Sequence, residues 1–278
     1  MTTSYGSRLA AAVARRGPLC VGLDPHPAIL DRWGLPAGPV GLERCARGMV
    51  EALGDEVAAF KPQSAFFEAY GSPGIAVLER TLADITGVGA ISILDVKRGD
   101  IGSTMDAYAT AYLTEGSPLA ADAVTLSPYL GFGSLGGAIE LARGQGRGVY
   151  VLALTSNPEG RDLQQARVAD GRSVVQVIVD EATRANQGHQ LGPVGLVVGA
   201  TVGRTGVDFS RLNGSILVPG LGAQGGAADD LTEVFGAAAP LVLPSLSREV
   251  MRAGPDQAAL RAATNRIVGE MKAALVVG

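Results

Sequence analysis

A closed (β/α)8 barrel, the TIM barrel of the α/β class, is the fold this sequence predicts, and three observations predict it. Eight short apolar runs, rich in Val, Ile and Leu, recur along the 278 residues and are mostly separated by stretches of helical periodicity. Several of these runs end on a charged residue or are cut by proline. Eight β-then-α units occupy roughly 250 residues in such barrels, and a hydrophobic content of 47% can fill the core of one. We expect a single barrel domain over residues 1–278, with its polar site at the C-terminal ends of the strands.

The first element is not a strand. Tyr5 to Arg16 is expected to form an amphipathic helix, with Leu9 and Val13 on one side and Arg8, Arg15 and Arg16 elsewhere, covering one end of the core. Leu19 to Asp24 then reads as a short strand that ends in an acid and is stopped by Pro25-His26-Pro27. Leu42, Cys45, Met49, Val50 and Leu53 recur at helical spacing, and Val57 to Lys61 forms a second strand closed by Pro62. A third strand begins at Ile91 and runs into Asp95 and Lys97. Because side chains alternate along a strand, these two share a face while Val96 points away. Gly99 and Gly102 allow the chain to turn past Asp100, and Ser103 or Thr104 offers an N-cap for a helix reaching about Thr114.

Ala123 to Pro128 and Val149 to Thr155 are the fourth and fifth strands, with a turn at Gly131 to Gly137 and a helix from Leu135 to Ala142 between them. From Ser156 to Arg172 the chain is polar and long for a connection, which predicts an irregular loop able to cover the site. An amphipathic helix follows from Val174 to Asn186. Val194 to Thr201, Ser215 to Gly220 and Pro240 to Ser247 complete the eight strands. Pro255 suits the first position of a last helix, whose apolar stripe is Leu260, Ala263, Ile267, Met271 and Leu275.

Composition narrows the function classes. A formal charge of -4 and the lack of any Lys or Arg block argue against a nucleic-acid surface. Cys20 and Cys45 form no C-x-x-C pair, so reduced, packed thiols and a cytoplasmic setting are expected. No run approaches the length of a membrane span, and the N-terminus carries no export signal. His26 and His189 are far apart in sequence without carboxylates at ligand spacing, so no metal site is expected. Trp33, Phe66 and Phe67 read as packing residues.

If the strands close in order, Asp24, Lys61, Asp95 and Lys97 come from three consecutive strands and project into one mouth. Signs alternate, so each buried charge has a partner and the array can stay rigid and ionised. A preorganised array of this kind is what stabilisation of a developing charge requires. Across the mouth, the run Pro219 to Gly226 follows strand seven and Pro244 to Arg248 follows strand eight. Loops in those two positions commonly grip phosphate through backbone N–H groups, and Arg248 can add a bidentate contact.

Taken together, the pattern D-x-K-x-x-D-I-x-x-T, present as Asp95, Lys97, Asp100, Ile101 and Thr104, resembles that of the orotidine 5'-phosphate decarboxylases, in particular their longer bacterial subgroup. The likeness extends to the Asp24 strand, to Phe60 through Glu68, to the P-G-x-G-A-Q-G-G loop and to Arg248, in the same order along the chain. It implies removal of carbon dioxide from C6 of the orotate ring to give UMP, the last step of de novo pyrimidine synthesis, without metal or organic cofactor. Lys97 would stabilise charge at C6 and donate the replacing proton, Asp95 would face the leaving carboxylate, and Lys61 would link Asp95 to the ribose.

By the same resemblance, Asp24 would accept a ribose hydroxyl, Ser156 or Asn157 would meet the pyrimidine, with Ser127 as a further candidate, and Gly220, Gln224, Gly225 and Arg248 would hold the phosphate. Ile101 would line the substrate site, and the catalytic Asp100 together with Thr104 would reach into the partner's site of a homodimer. Three rivals remain at this level: a magnesium-dependent phosphosugar enzyme on the same barrel, a Schiff-base aldolase using a strand lysine, and a nucleotide-binding sensor without turnover.

Overall fold

The computed structural model describes residues 3–203, 206–222 and 228–275. Its strands are largely apolar because each is buried on both faces, one against the barrel interior and one against the surrounding helices. They are β1 (Cys20–Leu23), β2 (Ala59–Pro62), β3 (Ile91–Arg98), β4 (Ala123–Leu126), β5 (Gly148–Leu154), β6 (Val194–Val198), β7 (Ile216–Pro219) and β8 (Val242–Leu246). All pair in parallel in sequence order, and the pairing of Cys20 with Ser245 closes the circle. The predicted (β/α)8 class is therefore the observed one.

The helices are α1 (Tyr5–Arg16), α2 (Pro27–Arg32), α3 (Pro39–Leu53), α4 (Ser64–Glu68), α5 (Gly71–Gly87), α6 (Gly102–Leu113), α7 (Gly136–Gly144), α8 (Gly160–Gln164), α9 (Val174–Ala185), α10 (Ala228–Phe235), α11 (Arg248–Met251) and α12 (Gln257–Leu275). Among the described residues no helix lies between β6 and β7. The larger core fills the space between strands and helices. Trp33 belongs to it, with its indole N–H donating to the Met251 carbonyl at 2.8 Å. Phe67 is fully buried in the same core.

A second, smaller cluster lies inside the barrel, where Cys20, Ala59, Ile91, Ile93, Tyr150, Leu217 and Leu243 meet Tyr5, Leu9 and Ala12 of α1. α1 thus plugs the N-terminal end. Its start is capped by Ser4, whose hydroxyl accepts from the Ser7 N–H at 3.3 Å. Gly148 is required where Tyr5 enters, because a Cβ there would stand 2.5 Å from the Tyr5 ring. The two tyrosine hydroxyls then meet at 3.0 Å in the barrel interior. Arg8 pairs with Asp122, which also accepts from the backbone and side chain of Ser92 at 2.8 and 3.0 Å. That arrangement ties the plug to β3 and to the loop before β4.

Several local expectations need correction. The stretch from Ser156 to Arg172 is not irregular throughout: α8 lies within it, and Arg167 forms an antiparallel bridge with Ser173. Neither Ser103 nor Thr104 caps α6, whose N-cap is Ile101; the Asp100 carboxylate accepts the Ile101 N–H at 2.8 Å. Pro255 precedes α12 rather than opening it. The helices α2, α4 and α5 have no counterpart in the sequence reading, since Pro25-His26-Pro27 and Gly71-Ser72-Pro73-Gly74 look like turns.

Candidate active site

The alternation that turns Ile91 and Ile93 inward carries on to Asp95, which is 6% exposed at the C-terminal end of β3. The inward positions of β2 run through Ala59 to Lys61, also 6% exposed. Lys61 Nζ donates to Asp95 Oδ2 at 3.0 Å and stands 3.9 Å from Asp24 Oδ1 at the end of β1. Lys97 Nζ reaches Asp95 Oδ1 at 2.5 Å from the other side. The chain of alternating charges that the sequence suggested is assembled within this one chain.

Two residues that the sequence reading did not single out complete the shell of Asp95. Gln63 Nε2 donates to Oδ2 at 3.0 Å, and Thr125 Oγ1 donates to Oδ1 at 2.9 Å. An ionised carboxylate offers about four acceptor positions, so Asp95 is saturated by two ammonium and two neutral donors. A polar residue inside the apolar β4 run was the only sequence signal for Thr125. Gln63 was visible as part of the Phe60 to Glu68 segment.

Burial pushes the Asp95 carboxyl upward, but Lys61 and Lys97 outweigh it and hold the carboxyl well below the usual carboxylate range. Burial likewise disfavours the Lys61 ammonium, and Asp95 with Asp24 more than offsets it, so Lys61 titrates above an ordinary lysine. Both members of the pair are ionised at neutral pH. One atom is left over: Asp24 Oδ1 is buried and accepts no hydrogen bond. A buried oxygen without a hydrogen-bond donor is costly, and here its only near cation among the described residues is Lys61 at 3.9 Å.

Lys97 is held in an unusual backbone conformation. Its φ of 47° lies in the left-handed region that non-glycine residues seldom adopt, so its approach to Asp95 is not the simple two-residue alternation of a regular strand. Around it β3 departs from the ladder: Leu94 pairs with Val124 and Arg98 with Leu126, leaving Asp95, Val96 and Lys97 opposite Thr125 alone. A bulge of this type re-aims side chains at the rim of a sheet. Gly99 permits the close passage that follows, because a Cβ there would meet the Ser127 carbonyl at 2.4 Å.

Two adjoining hollows open at this end. One, of about 460 Å3, is lined by Asp24, Gln63, Phe66, Asp95, Lys97 and Arg98. The other, of about 100 Å3, is lined by Asp24, Lys61, Gly220, Ser245, Ser247 and Arg248 among others. Asp24 borders both. Arg248 is half-buried, and its guanidinium has no hydrogen-bond or ion-pair partner among the described residues. Gln224 and Gly225 lie outside the described residues. A larger cavity of about 770 Å3 sits at the opposite end, between α1 and α12. It lacks opposed acids and ammonium groups, so size alone does not locate the chemistry.

The remaining predicted residues divide into two groups. Ser156 and Asn157 are exposed after β5. Asn157 is engaged within its own loop, accepting from Thr155 Oγ1 at 2.6 Å and donating to Glu159 at 3.0 Å. Ser127 is half-buried, with its backbone N–H donating to the Arg98 carbonyl at 2.7 Å. Asp100, Ile101 and Thr104 are not joined to the array: no hydrogen bond or ion pair links Asp100 or Thr104 to the four charges among the described residues, and Ile101 is 61% exposed. Neither histidine belongs to a cluster of three or more His, Cys, Asp or Glu side chains able to hold a metal, and no such cluster occurs among the described residues.

Fold and array define a parallel-barrel enzyme with a charged mouth at the C-terminal strand ends. Comparison with known proteins gives the family: the profile of the orotidine 5'-phosphate decarboxylase / HUMPS family matches residues 17–263, and this chain belongs to it. An orotidine 5'-phosphate decarboxylase of Salinispora arenicola is 60% identical over 98% of each chain. A crystal structure from Streptomyces avermitilis, a provisional orotidine 5'-phosphate decarboxylase, superposes with a TM-score of 0.96 at 53% identity, covering 99% of this chain and 97% of that one. The Leishmania donovani OMP decarboxylase superposes at 0.79 with 32% identity, over 99% and 100% of the two chains.

Proposed function

We infer that this chain converts orotidine 5'-phosphate to UMP and carbon dioxide, the last step of UMP synthesis. The observation that carries the reading is the Lys61–Asp95–Lys97 arrangement, in which one buried carboxylate is held ionised between two ammonium groups. As the bond from C6 to the carboxylate breaks, its electron pair stays on C6 and CO2 departs. Lys97 is the group for that pair, first as a neighbouring positive charge and then as proton donor to C6. Asp95 fixes Lys97 and presents negative charge to the leaving carboxylate. Lys61 holds Asp95 and reaches toward the ribose, whose hydroxyl would supply the donor that Asp24 Oδ1 lacks.

Arg248, which lines the same hollow as Gly220, is the cation for the phosphate, and the family resemblance adds Gln224 and Gly225 to that role. Ser156 and Asn157 after β5, or Ser127 after β4, would contact the base. Phosphate binding far from C6 supplies energy that can be used at the reacting centre. Ile101, Tyr129 and Leu130, which are 61%, 76% and 51% exposed beyond β3 and β4, support a homodimer in which Asp100 and Thr104 serve the partner's site. No described helix is long and apolar enough to cross a membrane. The two buried free thiols support a cytoplasmic setting.

The rivals fit less well. Both oxygens of Asp95 are already taken by ammonium, hydroxyl and amide donors, which leaves a magnesium ion poorly supplied there. A Schiff base at Lys61 needs a free amine, whereas Asp95 and Asp24 keep that amine protonated. The test is turnover of orotidine 5'-phosphate in excess EDTA, followed as absorbance loss. Wild type should react, and Lys97→Ala should lose on the order of 10^4-fold or more in kcat, since it removes both proton donor and local charge. Activity that appears only when magnesium is restored, or an unaffected Lys97→Ala, would overturn the reading.

A further inference from the structure

We propose that Thr125 is the positioning residue that sets the Asp95–Lys97 pair for reaction. This rests on the proposed role of Lys97 but draws on separate observations. Thr125 is 1% exposed on β4 and lies opposite the three bulged residues of β3. Its hydroxyl donates to Asp95 Oδ1 at 2.9 Å and accepts the Lys97 backbone N–H, also at 2.9 Å. One oxygen therefore ties the carboxylate to the main chain of the lysine that faces it.

The strand register explains why a side chain is needed. In a regular parallel ladder a neighbouring carbonyl receives such an N–H, but the bulge interrupts the ladder between Leu94 and Arg98. The Thr125 hydroxyl stands in for it. With φ at 47°, Lys97 has a backbone geometry that must be held by its surroundings, and its N–H donates to Thr125. The ammonium reaches Asp95 Oδ1, the same oxygen that Thr125 engages. Removing the hydroxyl frees the Lys97 backbone and one side of the Asp95 carboxylate together, while no substrate-binding side chain is altered.

The experiment compares Thr125→Val, which keeps the shape without the hydroxyl, with Thr125→Ser, which keeps the hydroxyl. Thr125→Val should lower kcat for orotidine 5'-phosphate by about 10^2-fold, the loss expected of an ångström-scale misplacement, and leave UMP affinity within about threefold. Thr125→Ser should recover most of the rate. Independently of turnover, hydrogen exchange at the Lys97 amide should accelerate in Thr125→Val but not in Thr125→Ser, with the Leu94 amide unchanged. Thr125→Ala carries the same expectations should the valine variant fail to fold. If the wild type proves inactive on orotidine 5'-phosphate, the functional reading falls and exchange alone decides the positioning role. Unchanged exchange at Lys97, a wild-type kcat in Thr125→Val, or equal loss in the valine and serine variants would overturn it.

Discussion

The two ends of the barrel are made from the same eight strands yet treat their polar groups in opposite ways. At the N-terminal end the polar groups of the plug itself are paired: Tyr5 meets Tyr150, Arg8 meets Asp122, and Arg16 donates to the carbonyls of Gly89 and Val88 at 2.9 and 2.8 Å, with Arg147 Nε just before β5 a buried donor left without an acceptor. At the C-terminal end Asp24 Oδ1 accepts nothing, the Arg248 guanidinium is unpaired among the described residues, and Lys97 sits at positive φ. The first end has the chemistry of a closed core. The second carries unspent electrostatic capacity that a charged ligand can take up. Stability and reactivity are thus allotted to opposite layers of one barrel.

The comparison is broken most forcefully at Asp95. Asp95→Asn leaves Lys61 buried without its closest counter-charge, and loss of one member of a buried pair costs about 3–5 kcal/mol. It should show as a lower urea midpoint together with loss of turnover. Arg248→Ala should be cleaner. Loss of a charge-assisted contact of about 1.5–3 kcal/mol weakens UMP roughly 10- to 150-fold and leaves the nucleoside uridine unaffected, as measured by calorimetry. Equal weakening of both would remove the phosphate assignment.

A smaller effect is the pH dependence of stability. The Asp95 carboxyl has a depressed pKa when folded, so its contribution is complete above the ordinary Asp range near 3.9 and is lost as pH falls through the folded value. The Lys61 ammonium has a raised pKa, so its contribution is complete below about 10.4 and is lost as pH rises through the folded value. Unfolding midpoints should therefore be flat across the neutral range as far as this pair is concerned, with extra losses at both extremes that Asp95→Asn abolishes. An unchanged profile in that variant would show that other groups set the pH limits.

Much of the barrel was legible because a strand buried on both faces must be apolar along its length, and such runs stand out at β5, β6 and β8. The strand-end charges were legible for the same reason: Asp24, Lys61 and Asp95 interrupt runs that have no other cause to end in charge. What stayed hidden depends on register. Thr125 reaches Lys97 only because of where the β3 bulge falls against β4, and no spacing within one strand encodes that. Alternation placed Lys97 beside Asp95 but could not disclose its positive φ. Short helices such as α4 and α8 escape periodicity altogether, since five residues barely complete a turn.

The central claim is that the plugged end governs stability while the charged end governs turnover, and kcat and Tm measured on Leu9→Ala and Lys97→Ala tests it most directly. Leu9 is 2% exposed in the plug, so truncation should cost about 2–5 kcal/mol and lower Tm by several degrees with kcat nearly unchanged. The Lys97 side chain is 46% exposed, so its truncation should leave Tm close to wild type while turnover of orotidine 5'-phosphate all but disappears. A Leu9→Ala enzyme that loses turnover in its folded state, or a Lys97→Ala enzyme that retains it, would contradict the account.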